Sequence, residues 1–256
     1  SGSYTFTGHS IDANCNENVQ APSGATISMV NSSGAKGGTT NGEANDGAVD
    51  GNITWTSSNT WEGDDATNPT LWSVAENWSK GTTPADDDVV VIPNGLGNYP
   101  VLDTDDTCAA ATIENGASLT LSTAARTLTV TGNVTVNSGG TLTMNAAAAL
   151  EVGGAWNNSG TFSATAGTVV FNSTSGAQSI PAETFYHLEV DKTSKAASTT
   201  GNVNVDGNLT VTSGTLSLGA HTHTVDGTTS VSGTLSLATG STATLTGAAT
   251  VNAAGR

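Results

Sequence analysis

One phrase recurs along this chain at a spacing of about 20 residues, and that recurrence limits its folds more than any other feature. Val205-Asp-Gly-Asn-Leu-Thr-Val-Thr-Ser-Gly-Thr-Leu-Ser-Leu218 returns as Val225-Asp-Gly-Thr-Thr-Ser-Val-Ser-Gly-Thr-Leu-Ser-Leu237, and Leu245-Thr-Gly-Ala-Ala-Thr-Val251 continues the series. An earlier copy runs from Val130 to Met144, and a degraded one from Val152 to Phe162. A unit this short cannot bury an apolar face by itself. Stacked copies can, each covering its neighbour.

Within each copy the apolar residues alternate with polar ones, as in Leu128/Val130, Val134/Val136, Leu142/Met144, Leu209/Val211 and Leu216/Leu218. Period two with β-branched residues means strands, and the Gly, Asn, Asp and Ser between them mean tight corners. The expected fold is all-β: a right-handed parallel β-solenoid (β-helix) from 86 to 256 with three short faces per coil. Handedness follows from the preference of parallel crossovers. Roughly eight coils would extend ~40 Å at ~4.8 Å per coil. Asn and Gly at corners would tolerate left-handed backbone angles. Ala146 to Ala149 is too short for a helix and reads as a corner or strand. A longer loop is expected around Lys192 to Thr200.

Residues 1–85 differ. They hold Trp55, Trp61, Trp72 and Trp78, four of the five tryptophans, and a Gly/Asn-rich stretch from Asn31 to Gly51. An open solenoid end needs its core covered, so this segment is expected to form an irregular, Trp-rich N-terminal β cap. A tryptophan-lined sugar site is the competing use of the same residues.

Composition narrows the function. Only 11% of residues are charged, against ~25% in an average domain. With 22 acids, 6 bases and a net charge of -16, the chain lacks the basic face that nucleic acid or an acidic membrane surface requires. No run of ~18 apolar residues predicts insertion into a membrane. The chain opens on Ser1 without a signal peptide, so the beginning of a precursor is expected to have been removed or left out. Scarce Lys and Arg suit an extracellular or cell-surface location. Cys15 and Cys108, the two cysteines, are expected to form a disulfide in an oxidising compartment.

The segment Trp72-Ser-Val-Ala-Glu-Asn-Trp78, followed by Pro84, Asp86 to Asp88, Val89-Val-Val-Ile-Pro93 and Tyr99-Pro-Val-Leu102, is a distinctive opening. Later phrases are Phe171, Gln178-Ser-Ile180, Phe185-Tyr-His-Leu-Glu-Val190, Gly207-Asn-Leu-Thr-Val and Gly214-Thr-Leu-Ser-Leu. Over about 72–256 these resemble the adhesin or autotransporter-like parallel β-helix repeats of large bacterial extracellular surface proteins. The resemblance implies a secreted rod and carries over no catalytic residue.

Chemistry-bearing residues are sparse. A glycosidase needs two positioned carboxylates. Asp191, Asp206 and Asp226 are the candidates, yet Asp206 and Asp226 recur at one place in successive repeats, as corner residues binding backbone amides would. His221 and His223 lie two apart, facing the same side of a strand, without the further ligands zinc needs. They read as solvated or corner histidines. Asp86, Asp88, Asp103, Asp105 and Asp106 sit in acidic loops, the type of oxygen cluster a structural calcium would use; no other cofactor is expected. Threonine rows at Thr127/Thr129/Thr131, Thr141/Thr143, Thr222/Thr224 and Thr244/Thr246 read as ordinary outward strand residues rather than an ice-binding ladder.

The expected function is that of a secreted structural protein, not an enzyme, self-assembling head to tail into a filament or surface layer. The repeat phrase ends close to Arg256, so the last coil is expected to be sticky. The strand-like Ser3-Tyr-Thr-Phe-Thr-Gly8, through Tyr4 and Phe6, is the segment expected to add to it. An adhesin or passenger rod binding a glycan or cell surface is the second reading, and a carbohydrate-active β-helix enzyme the third.

Overall fold

The computed structural model describes residues 57–252 apart from 124 and 175, with side chains from 58 onward, and the backbone of Ser3–Thr7, Thr26–Val30 and Ile53–Trp55. Those three strands form a parallel sheet in that order. They belong to a first compact unit, Ser1–Ser58 with Asp87–Val89; the second comprises Asn59–Asp86 and Val90–Arg256.

The second unit is a parallel β-solenoid of about 8 turns. Its chain visits three faces in constant order. The first face carries 90–92, Ala110–Ile113, Val134–Val136 and Trp156–Asn158, then Gln178–Ile180, 197–199, 215–218 and Thr234–Leu237. The second runs through Ser118–Leu121, Thr141–Met144 and Thr161–Ala164, then Glu183–Phe185, Val203–Val205, Thr222–Val225 and Thr242–Leu245. On the third lie Asp106–Cys108, Thr127–Val130, Ala149–Val152 and Thr168–Phe171, continued by 187–190, 209–211, Thr229–Val231 and Ala249–Val251.

The recurrence in the sequence is the rise of one coil. Thr141 pairs with Thr161 and Thr229 with Ala249, so each repeat returns to the same place one layer on. Register tolerates coils from 19 residues, Ala149 to Thr168, to 23, Ser118 to Thr141. Period two then decides the interior: Leu128, Leu150 and Val169 stack inward in one column and Val130, Val152 and Phe171 in a second, and all are buried. Trp156, Phe162, Phe171 and Phe185 meet edge-on or tilted mid-core, with ring centroids 5.0 to 6.3 Å apart. Outward Thr141 and Thr143 flank inward Leu142, as ordinary strand residues do.

Three expectations need correction. The segment 192–200 is not a loop: His187–Thr199 is one long strand, irregular between Val190 and Ala196, that turns from the third face onto the first. The division at 85/86 falls within the solenoid unit, which takes in Asn59–Asp86. There the backbone N–H of Trp61 donates to Val91 O and that of Trp72 to Val101 O. The tryptophan segment thus contributes layers of the solenoid.

The third correction concerns the corners. Among described residues other than glycine, only Ala125 and Lys195 have positive φ, at 58° and 59°. Asparagine serves differently: its side-chain oxygen accepts a backbone N–H from the next coil. Asn133 Oδ1 receives Ala155 N–H at 2.8 Å, Asn202 Oδ1 receives Thr222 N–H at 3.1 Å, and Asn208 Oδ1 receives Thr228 N–H at 2.9 Å. Glycine does hold positive φ at several turns, yet Gly207, Gly227 and Gly247 are there for space. A Cβ on Gly227 would lie 2.5 Å from Gly207 O, and one on Gly247 2.2 Å from Gly227 O. This corner lets successive backbones touch.

Gly227→Ala should therefore destabilise the fold by about 1–3 kcal/mol through overpacking, although alanine is normally favoured over glycine within strands. Gly97→Ala, with nothing within 4 Å of the added carbon, is the neutral control. Thermal melting of both variants checks this.

Candidate functional site

The tryptophans are used inward. Trp61, Trp72 and Trp78 are all at most 1% exposed and pack edge-on, with Trp78 5.0 Å from Trp61 and 4.7 Å from Trp72 by ring centroids. Their indole N–H groups donate to Asn98 O, Asp106 Oδ2 and Trp72 O respectively, at 2.9, 2.5 and 2.8 Å for Trp61, Trp72 and Trp78. Rings so covered cannot stack on a sugar. Trp55 has no described side chain.

Of the acidic residues proposed for calcium, Asp103, Asp105 and Asp106 are engaged within the chain. Asp103 accepts the Ser73 N–H and hydroxyl at 2.9 and 2.6 Å. Asp105 accepts the Thr127 N–H at 2.9 Å. Asp106 binds the Trp72 indole, Asp88 is buried and Asp86 is exposed. No group of three His, Cys, Asp or Glu capable of holding a metal occurs among the described residues. Cys108 is a buried core residue of the third face, while Cys15, Tyr4 and Phe6 lie outside the described side chains.

Nor do the remaining carboxylates converge. Asp191 accepts from the Ser213 hydroxyl at 2.6 Å and Asp206 from the Asn204 amide at 2.5 Å. Asp206 and Asp226 do occupy equivalent exposed corners, each donating its own N–H to the coil before, to Phe185 O and Val205 O. Glu183 accepts from Trp156 Nε1 at 3.2 Å and Asn158 Nδ2 at 2.7 Å. Asp191, Asp206 and Glu183 thus each hold a structural partner.

Two inward polar residues were not anticipated. Lys192, 1% exposed, donates from Nζ to Ser173 O, Gly176 O and Gln178 Oε1 at 3.1, 3.0 and 2.9 Å. Gln178 in turn donates to Val152 O and Gly154 O at 2.7 and 2.8 Å. The network ties the turn after Phe171 to the coils on either side. All three acceptors of Lys192 are uncharged, and burial holds its amine below the usual lysine range. His223 is buried too, which corrects the expectation of a solvated residue; His221 stays half-exposed at the corner.

The unusual surface is the last described coil. Its strands Thr234–Leu237, Thr242–Leu245 and Ala249–Val251 each end a ladder among the described residues. In register, Leu218 at 4% exposure faces Leu237 at 52%, Val225 at 4% faces Leu245 at 37%, and Val231 at 5% faces Val251 at 79%. The inward rows thus run out into solvent at this layer. No Asp, Glu, Lys or Arg occurs between Asp226 and Arg256. An apolar, uncharged surface edged by three parallel strands is suited to bind another β layer.

Residues 60–174 match a family described as a domain of unknown function (DUF8693). The matched segment begins beside Trp61 and extends past Phe171, which covers the tryptophan cluster and the following coils. Neither a curated protein nor a solved structure matches the chain.

Two outcomes test these assignments. In a Trp55→Phe variant, the remaining tryptophan fluorescence should be poorly quenched by acrylamide and unmoved by soluble glycans. Lys192→Met should lose about 1–3 kcal/mol, because two backbone carbonyls are left buried without their donor; denaturant unfolding measures it.

Proposed function

We propose that this chain is a secreted, non-enzymatic structural protein whose copies join head to tail into an extracellular filament or surface layer. The observation that carries the proposal is the parallel ladder itself, in which each coil is completed by the backbone and apolar rows of a neighbouring coil, as Leu218 is by Leu237 and Val231 by Val251. A coil without such a neighbour recruits strands. Strand addition between unlike surfaces is heterologous and propagates unless it closes into a ring.

The partner surface is assigned to the N-terminal edge. Ser3–Thr7 is a strand, paired on one side with Thr26–Val30 and standing at the edge of its sheet. Its remaining edge offers the backbone donors and acceptors that strand addition uses. The secreted location is supported by the scarcity of basic residues, 6 in all, and by the resemblance to bacterial surface repeats. The inward turn of Trp61, Trp72 and Trp78 and the internal partners of Asp191, Asp206 and Glu183 favour this reading over a glycan-binding adhesin or a carbohydrate-active enzyme.

Electron microscopy and sedimentation at rising concentration should show filaments. Leu237→Lys with Val251→Lys, or deletion of residues 1–8, should leave folded monomers with little change in melting temperature. A full chain that stays monomeric, or variants that still polymerise, overturns the proposal. Saturable binding on a glycan array would transfer the function to the adhesin reading.

A further inference from the structure

One buried titratable side chain lies in the coil before the last described one. His223 is 3% exposed and sits in the second face, paired with Val203 of the coil before and Ala243 of the coil after. Its Nδ1 accepts the backbone N–H of Val203 at 3.3 Å. That contact requires a ring nitrogen without a proton, so the neutral tautomer carries its hydrogen on Nε2. There the neighbours are Gly219 O and Thr199 Oγ1, both at 3.4 Å, and Thr199 Oγ1 already accepts the Gly219 N–H at 2.8 Å.

The surroundings hold nothing to welcome a positive charge. The strands packed around the ring present Thr199, Val203, Leu216, Leu218, Leu235, Ala243 and Leu245. None is titratable. The one ionisable neighbour is His221 on the same segment, 6.4 Å away by ring centroids, and it repels a second cation. Asp206 and Asp226 lie at the exposed far corner. Desolvation, the largest cause, holds the His223 pKa below its ordinary value, with the Gly219 carbonyl opposing and His221 assisting.

From this geometry we infer that protonation of His223 acts as an acid release, loosening the coils from Val203 onward and, in a filament, freeing the next copy of the chain stacked on them. Imidazolium would set Nδ1–H against the Val203 N–H, donor facing donor, in a rung that supports the last coil. The sign follows from linkage. A folded-state pKa below the unfolded value of about 6.5 gives stability that is complete above that pH. It is lost as the pH falls below about 6.5 toward the folded-state value. His187 is the internal comparison: its Nδ1 likewise accepts a backbone N–H, from Asn208 at 2.8 Å, and burial lowers its pKa too, but its ring is half-exposed on the outer surface.

The docking part of this inference rests on the head-to-tail reading; the loosening does not. The test is hydrogen exchange of the full-length chain at pH 7.5 and 5.5, comparing peptides from 203–245 with peptides from 127–152 in the same sample. Light scattering follows assembly in parallel. The wild type should lose protection selectively in 203–245 at the lower pH and shed its filaments. His223→Asn, whose amide oxygen can still accept the Val203 N–H, should keep both. Equal responses in the two proteins overturn the inference. So does a wild-type His223 ring that takes up its proton near pH 6.5 by NMR while 203–245 stays protected, an outcome that needs no variant. If protection is lost as expected but no filaments form at any pH, the acid release stands and the head-to-tail reading fails.

Discussion

Each coil of this protein leaves a full row of backbone donors and acceptors that only another coil can satisfy. That requirement organises everything else. The three strands of a coil are three or four residues long on most faces, too short to persist as isolated pairs. They are held because Thr161 N–H reaches Gly140 O, Thr168 N–H reaches Ala148 O and Thr229 N–H reaches Ala248 O, all at 2.9 Å. Apolar columns are the second effect of the same stacking. Once the backbone fixes one layer above another, period two places Leu128 over Leu150 over Val169 without further instruction.

The corners obey the same rule by other means. Where a strand ends, its ladder would end too, so side chains carry the bonding across: Asp105, Asn133, His187, Asn202 and Asn208 each accept an N–H of the following coil. These corners are exposed, so each bond adds about 0.5–1.5 kcal/mol. Asn133, Asn202 and Asn208 are thus part of the ladder, and their presence is bonding chemistry rather than backbone tolerance.

Architecture was legible because alternation and recurrence are both one-dimensional signals. Val205-Asp-Gly and Val225-Asp-Gly mark the same corner, and the strands between them follow. What stayed hidden was the chemistry of inward slots. Leu188, Val190 and Lys192 share one parity, as do Gln178 with Ile180 and His223 with Val225. The signal was present in the spacing, but an isolated lysine or histidine is ordinarily solvated, and only the converging carbonyls of Ser173 and Gly176 explain its burial. The limit of the tryptophan segment was obscure for a related reason. Its layers at Trp61, Leu71 and Trp72 are joined by single bridges and isolated bonds, which leave no alternating pattern to read.

The edges of the solenoid vary in length from coil to coil. Between the second and third faces the column of Gly207, Gly227 and Gly247 presses one backbone against the next. Between the third and first faces the chain is pressed just as closely at Gly132 and Gly154, yet it carries extra residues between Phe171 and Gln178 and again from Asp191 to Ala196, while the strands before and after keep their register. Extra residues there leave the ladders on either side in place. That edge is one margin along which a lineage of such chains can lengthen its turns. For a protein engineer, it is the margin on which to graft a peptide for display at regular intervals.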